Sequence, residues 1–216
     1  MTGEAQFSFG LFGGVANYQG DIAKDITNVK ESHIAFGGGL GYKISPFIDL
    51  KAQLLLTKLS GDDADYPERA ERGFKFESNI IEISTVLDYY IFGSAERSNT
   101  GVFTPKFSPL VYLGLGVTKV NNLAECYNDD CINGVILSPF PEKDAKSSLL
   151  TVPFGIGIKY DVSPLLSVGL RGGYRYTFSD YIDGISKAAN DEANDWFFIL
   201  GTHVVFYIQP KDKGAF

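Results

Sequence analysis

From Leu150 to Asp161 the chain alternates without a break. Leu150, Val152, Phe154, Ile156, Ile158 and Tyr160 are large and apolar; between them stand Thr151, Pro153, Gly155, Gly157, Lys159 and Asp161, none of which combines size with apolarity. A period of two places the two sets on opposite faces of an extended strand, whereas a helix would smear both around its circumference. Seven other segments follow the same rule. Their apolar members are Phe7, Phe9, Leu11 and Val15; Ile34, Phe36, Leu40, Tyr42 and Ile44; Leu50, Leu54 and Leu56; Ile81, Ile83, Leu87, Tyr89 and Ile91; Val111, Leu113, Leu115 and Val117; Leu166, Val168, Leu170, Tyr174, Tyr176 and Phe178; Trp196, Phe198, Leu200, Val204, Phe206 and Ile208.

Eight strands are the smallest number that closes into a barrel with an interior just filled by side chains. The predicted fold is therefore all-β, an eight-stranded antiparallel barrel forming one domain over residues 1–216. Ser45-Pro46 and Ser163-Pro164 mark tight turns, because proline presets φ and cannot extend a ladder. Longer polar connections run over 20–32, 62–73, 122–146 and 182–194, and a further one over 93–106. Short turns at one end and long loops at the other are the pattern of an outer-membrane barrel, with periplasmic turns and extracellular loops. No run of roughly eighteen apolar residues occurs, which excludes a membrane-spanning helix but not a strand barrel.

Alternation alone does not say which face points outward; the non-apolar face does. It is rich in glycine (Gly37, Gly39, Gly41, Gly155, Gly157), which suits a narrow interior better than a solvated surface. It also carries Lys43, Lys51, Lys159, Arg171 and Arg175 against Asp49, Glu82, Asp88 and Asp161. Near balance of sign predicts a lumen of paired ions, since an unpaired buried charge is costly. Tyr42, Tyr89, Tyr160, Trp196 and Tyr207 lie toward strand ends, where an aromatic belt meets the lipid interface. A soluble ligand-binding barrel is the alternative.

The formal charge of −7, without a basic cluster, leaves no electrostatic reason to bind nucleic acid. Met1-Thr2-Gly3-Glu4-Ala5 lacks the features of a secretory signal, so an outer-membrane location implies a mature form whose signal has been removed.

Several segments carry a more specific likeness. Gly13-Gly14-Val15-Ala16-Asn17-Tyr18-Gln19-Gly20-Asp21-Ile22, Leu59-Ser60-Gly61-Asp62-Asp63-Ala64 and Arg72-Gly73-Phe74-Lys75-Phe76-Glu77-Ser78-Asn79-Ile80-Ile81-Glu82 resemble the PorG-like outer-membrane barrels of Bacteroidota. So do Val152-Pro153-Phe154-Gly155-Ile156-Gly157-Ile158-Lys159-Tyr160 and Thr177-Phe178-Ser179-Asp180-Tyr181-Ile182-Asp183-Gly184-Ile185-Ser186. The resemblance implies a non-enzymatic anchor or scaffold subunit of the type IX protein secretion system, docked to a ring of periplasmic lipoproteins and surrounded by outer-membrane lipid and lipopolysaccharide. A paralogue serving another surface complex and a lipid A-modifying enzyme are the alternatives. The 122–146 loop has no counterpart in the resemblance.

Chemistry-bearing residues are few. Cys126 and Cys131 are read as a disulfide pinning the 122–146 loop; as a metal pair they lack a nearby histidine and are too few for zinc. His33, beside Glu31 and Ser32, and His203, on the inward parity of the last strand, are the only histidines and the places where an acylase or deacylase would find its base. Asp62, Asp63, Asp65 and Glu68 lack calcium-loop spacing and read as a solvated acidic loop. Asp180 and Asp183 read as strand-end and turn residues, and Gly37-Gly38-Gly39-Leu40-Gly41 as close packing within a strand, with no helix after it to form a phosphate cradle. No catalytic, cofactor-binding or metal-binding residue is expected. Lys106 and Lys211 are candidate docking points at the short-turn end.

Overall fold

The computed structural model describes residues 6–19, 31–65, 73–95, 103–126, 148–178, 182 and 196–208. Eight antiparallel strands, β1 (Gln6–Gln19), β2 (His33–Ser45), β3 (Ile48–Asp62), β4 (Phe74–Tyr90), β5 (Lys106–Cys126), β6 (Ser148–Ser163), β7 (Leu166–Thr177) and β8 (Trp196–Tyr207), pair in chain order and close into a barrel through β1 and β8. Closure removes both sheet edges, so every strand has a neighbour on each side.

The barrel is inside-out relative to a soluble protein. Phe9, Phe36, Leu54, Ile83, Leu115, Ile156, Leu170 and Leu200, one from each strand, stand exposed on its outer wall, while Lys51, Asp88, Lys159, Asp161, Arg171 and Arg175 are buried within. Water does not tolerate an apolar belt around the whole circumference. Lipid does, provided every backbone group is bonded inside the wall, which a closed ladder achieves. The architecture is that of a transmembrane β-barrel.

The two tight turns are built alike. In each, a serine hydroxyl accepts the amide two residues on: Phe47 N–H to Ser45 Oγ at 3.2 Å, and Leu165 N–H to Ser163 Oγ at 3.2 Å. A register irregularity precedes each turn, at Lys43/Ser45 and at Asp161/Ser163. The β4–β5 connection behaves differently. Gly93 turns with φ of 70°, and Ser94 and Ala95 are buried against the barrel end. Ser94 N–H bonds Pro46 O at 2.7 Å, and Ser108 Oγ–H bonds Gly93 O at 2.9 Å.

Three strands run further than the alternation predicts. A strand needs about 9–11 residues to cross a bilayer, yet β4 has 17 and β5 has 21. Residues 122–126, expected in a loop, are strand, and β3 continues to Asp62. The cause is a reversal of the pattern. On β4, outward Ile81 and Ile83 give way to outward Lys75, Glu77 and Asn79, while the buried set changes from Glu82, Ser84 and Asp88 to Phe74, Phe76 and Ile80. The strand leaves lipid for water at Ile80-Ile81 and its apolar face changes sides. One belt residue is also corrected: Tyr42, Tyr89, Tyr160 and Trp196 are on the outer wall, but Tyr207 is buried and points inward.

Glycine sets the bore. Gly155 and Gly173 are register partners on β6 and β7, and the Tyr112 side chain of β5 fills the notch they leave. A Cβ at Gly155 would lie 2.6 Å from Gly173 Cα and 2.7 Å from the Tyr112 hydroxyl, whereas one at Gly13 would meet nothing within 4 Å. Gly155→Ala is expected to cost about 1–3 kcal/mol by overpacking and Gly13→Ala less than about 0.5 kcal/mol, measured as shifts in urea unfolding of the barrel in vesicles.

Candidate functional site

The interior is organised in three layers. In the middle, Asp88 of β4 bridges two cations: Lys51 Nζ of β3 lies 2.7 Å from Oδ2, and Arg171 Nη2 of β7 bonds Oδ1. Arg171 stacks over the Tyr112 ring, 4.3 Å from its centroid. Next to this triad, Arg175 Nε and Glu82 Oε2 approach to 3.6 Å, an ionic contact rather than a hydrogen bond. Ser84 Oγ–H donates to Glu82 Oε1 at 2.9 Å.

Toward the short turns, Lys159 Nζ lies 3.9 Å above the Tyr90 ring and 3.6 Å from Asp161 Oδ1, and donates to the Tyr207 hydroxyl at 3.3 Å. Asp161 accepts Ser167 Oγ–H at 2.5 Å and Ala95 N–H at 2.9 Å, so one carboxylate fastens both β7 and the inward-turned β4–β5 connection. Lys43 Nζ, only half-buried, donates to Ala95 O at 2.8 Å. Asp49 accepts the Tyr90 hydroxyl at 2.7 Å, a phenol where the sequence suggested a cation.

Toward the long loops, the lumen becomes apolar. Tyr18, Leu59, Phe74, Phe76, Ile80 and Phe197 pack with Ile182, whose carbonyl accepts Ser78 Oγ–H at 2.5 Å. Tyr18 and Phe76 meet edge to face at 4.8 Å. Ile182 comes from the β7–β8 connection and is fully buried, so this end is corked by an apolar layer as the other is strapped by Ser94 and Ala95. Charge arithmetic missed the cork. Its signal was present in doublets such as Ile80-Ile81 and Phe197-Phe198, where both faces of a strand are apolar at once.

Beside these layers a cavity of about 70 Å³ is bordered by Lys51, Arg171, Arg175 and His203, room for a few water molecules. His203 is buried there with neither ring nitrogen bonded to the protein. His33 lies elsewhere, at the start of β2 beyond the lipid-facing band. Ser32, its sequence neighbour, accepts a bond from Asn17 Nδ2 at 3.3 Å, and the partner of His33 is Ser60, at 2.7 Å from Nε2 to Oγ. Burial lowers the His33 pKa, and the Lys58 charge adds to this. Glu77, hydrogen-bonded to Lys58, is held below the usual carboxylate range.

The acidic turn is structural. Asp62 Oδ1 accepts Ala64 N–H at 2.9 Å, and Asp63 Oδ2 accepts Phe74 N–H at 3.2 Å. Among the described residues no group of three or more His, Cys, Asp and Glu could hold a metal. Lys106 donates to Phe92 O at 2.7 Å. Cys126 ends β5, but its side chain and that of Asp65, with Cys131, Glu68, Asp180, Asp183 and Lys211, lie outside the described residues, and the expected disulfide with them.

An apolar outer wall around an ion-paired, closed interior defines a membrane-spanning eight-stranded barrel protein. The sequence matches the domain of unknown function DUF6089 over residues 2–208, and the chain belongs to that family. No curated protein matches it. Solved structures are similar to it as well, three of them as follows. Neisserial surface protein A shares 12% identity over 93% of this chain and 96% of its own, at a TM-score of 0.48. A major outer membrane protein from Thermus thermophilus shares 15% over 94% and 99%, at 0.47. OprG from Pseudomonas aeruginosa shares 13% over 94% and 96%, at 0.40.

Asp88→Asn would leave Lys51 and Arg171 buried without their carboxylate. We expect a loss of about 3–5 kcal/mol, seen as earlier urea unfolding in vesicles through the fluorescence of Trp196, the one tryptophan.

Proposed function

We propose that this protein is an outer-membrane anchor or scaffold subunit of the type IX protein secretion machinery, with periplasmic ring lipoproteins docked at its short-turn end. The observation that carries this reading is the closed lumen. Ser94 and Ala95 strap one end, Ile182 corks the other, and the Asp88 triad ties the walls between them. Such a barrel offers solutes no path and docking partners a rigid peg.

The secretion assignment rests on the segments resembling PorG-like barrels, and the orientation on loop length, with short turns facing the periplasm. On that side the β4–β5 connection is the longest feature. Its base, Ser94 and Ala95, is fixed to Asp161, Lys43 and Pro46. On the opposite side the β3–β5 extensions rise out of the lipid among lipopolysaccharide, where an oxidising environment would favour a Cys126–Cys131 bridge.

Affinity purification of the tagged protein from mildly solubilised outer membranes, with mass spectrometry of what accompanies it, tests the role. Ring lipoproteins are expected in near-stoichiometric yield. Subunits of a different surface complex would keep the anchor and reassign the machine, and a clean monomer would sink the scaffold reading. In planar bilayers the purified barrel is expected to show no stable conductance; a steady open channel would contradict the closed lumen.

A further inference from the structure

Neither the anchor role nor the ion-paired lumen uses the hydrogen bond between His33 and Ser60. The two side chains come from β2 and β3 and meet at 2.7 Å, Nε2 to Oγ. Ser60 is in register with Glu77 on β4, and Glu77 is paired with Lys58 at 2.6 Å. A base, a hydroxyl and a neutralised ion pair thus stand side by side on neighbouring strands. Their level in the membrane is fixed by the next residue along β2: Ile34 is 77% exposed and faces lipid. His33 therefore sits one step beyond the last lipid-facing side chain of its strand, and Ser60 four residues beyond Leu56 on β3, so the pair stands just above the lipid-facing band, on the side of the headgroups.

We propose that Ser60 and His33 form a nucleophile–base pair that hydrolyses fatty-acyl esters of membrane lipids at the long-loop surface. The inference goes beyond the anchor reading and stands apart from it. A serine hydroxyl is a weak nucleophile until an adjacent base takes its proton, and the observed distance is within the reach this requires. His33 is suited to that part, because burial and the nearby Lys58 charge lower its pKa and leave the ring neutral at pH 7.

In the first step Ser60 Oγ bonds to the ester carbonyl carbon while His33 Nε2 takes the hydroxyl proton. His33 then gives that proton to the departing alkoxide oxygen, so the alcohol leaves and the acyl group remains on Ser60. Water, the only co-reactant, attacks the acyl-serine as His33 accepts its proton. Return of that proton to Ser60 Oγ releases the fatty acid and restores the pair. No electrons are exchanged with an outside donor. Lys58, two residues from Ser60 on the same face of β3, places a cation beside the pair, shared with Glu77 at 2.6 Å.

The test uses the full-length protein folded in vesicles, with a fluorophosphonate probe and mass spectrometry of the modified peptide. One set of vesicles carries glycerophospholipid and another carries an acylated saccharolipid, and release of fatty acid shows which supplies the ester. The probe is expected on Ser60. Fatty-acid release is expected to fall about 100-fold or more in Ser60→Ala and in His33→Gln, with Lys58→Met weakening turnover less. Both principal positions lie at strand ends, so unaltered gel mobility before heating confirms that the variants fold. An unlabelled Ser60, or release that survives Ser60→Ala, overturns the proposal. Recovery of ring lipoproteins with Ser60→Ala is expected to match the unsubstituted protein, so the hydrolytic and anchor readings can fail separately.

Discussion

A carboxylate with no exposed surface must be held by cations, and Asp88 is held by two, from strands on either side of the lumen. Desolvating three charges is expensive, and only close mutual bonding offsets it. The arrangement also fixes the register. Side chains alternate with a period of two, so a one-residue slip of β3, β4 or β7 would carry Lys51, Asp88 or Arg171 into lipid and leave its partners stranded. The rest of the interior is fitted around the triad. Tyr112 lies under Arg171 because Gly155 and Gly173 leave it space, and its hydroxyl lies 3.4 Å from Arg175 Nη1. Glycine on the inner wall is thus the counterpart of the long charged side chains opposite.

The barrel was legible because lipid imposes one simple rule on every strand it touches. Wherever the outer wall meets hydrocarbon, the apolar set and the strand coincide, as from Leu150 to Tyr160 on β6. The rule fails at the two places where its premise fails. Above the bilayer, β3, β4 and β5 continue into water with the opposite polarity, and a reading tuned to an apolar outer face stops at Leu56, Ile81 and Val117. Inside the lumen, an aromatic ring can serve a buried ion through its face or its hydroxyl. Tyr90 and Tyr207 therefore surround Lys159 on the inward side, although aromatic residues near strand ends suggest a lipid belt. The partner of His33 was illegible for another reason: Ser32 is adjacent in sequence, while Ser60 is adjacent in space through strand pairing.

The polarity reversal gives the molecule two ends of different character. At the short-turn end the interior is closed by charge: Asp161 holds the amide of Ala95, and Lys43 holds its carbonyl. At the long-loop end it is closed by apolar packing, mounted on strands that have already left the membrane. Hydrogen-bonded straps fix direction, because each bond demands a particular geometry, while an apolar cork demands only fit. The docking proposed for the short-turn end would need the first property on that side. The His33–Ser60 pair lies at the other end, separated by the corked lumen from the strapped end. The proposed chemistry at the long-loop end and the proposed attachment at the short turns would therefore place no conflicting demands on the same residues, and both would rest on the wall that Asp88 holds in register.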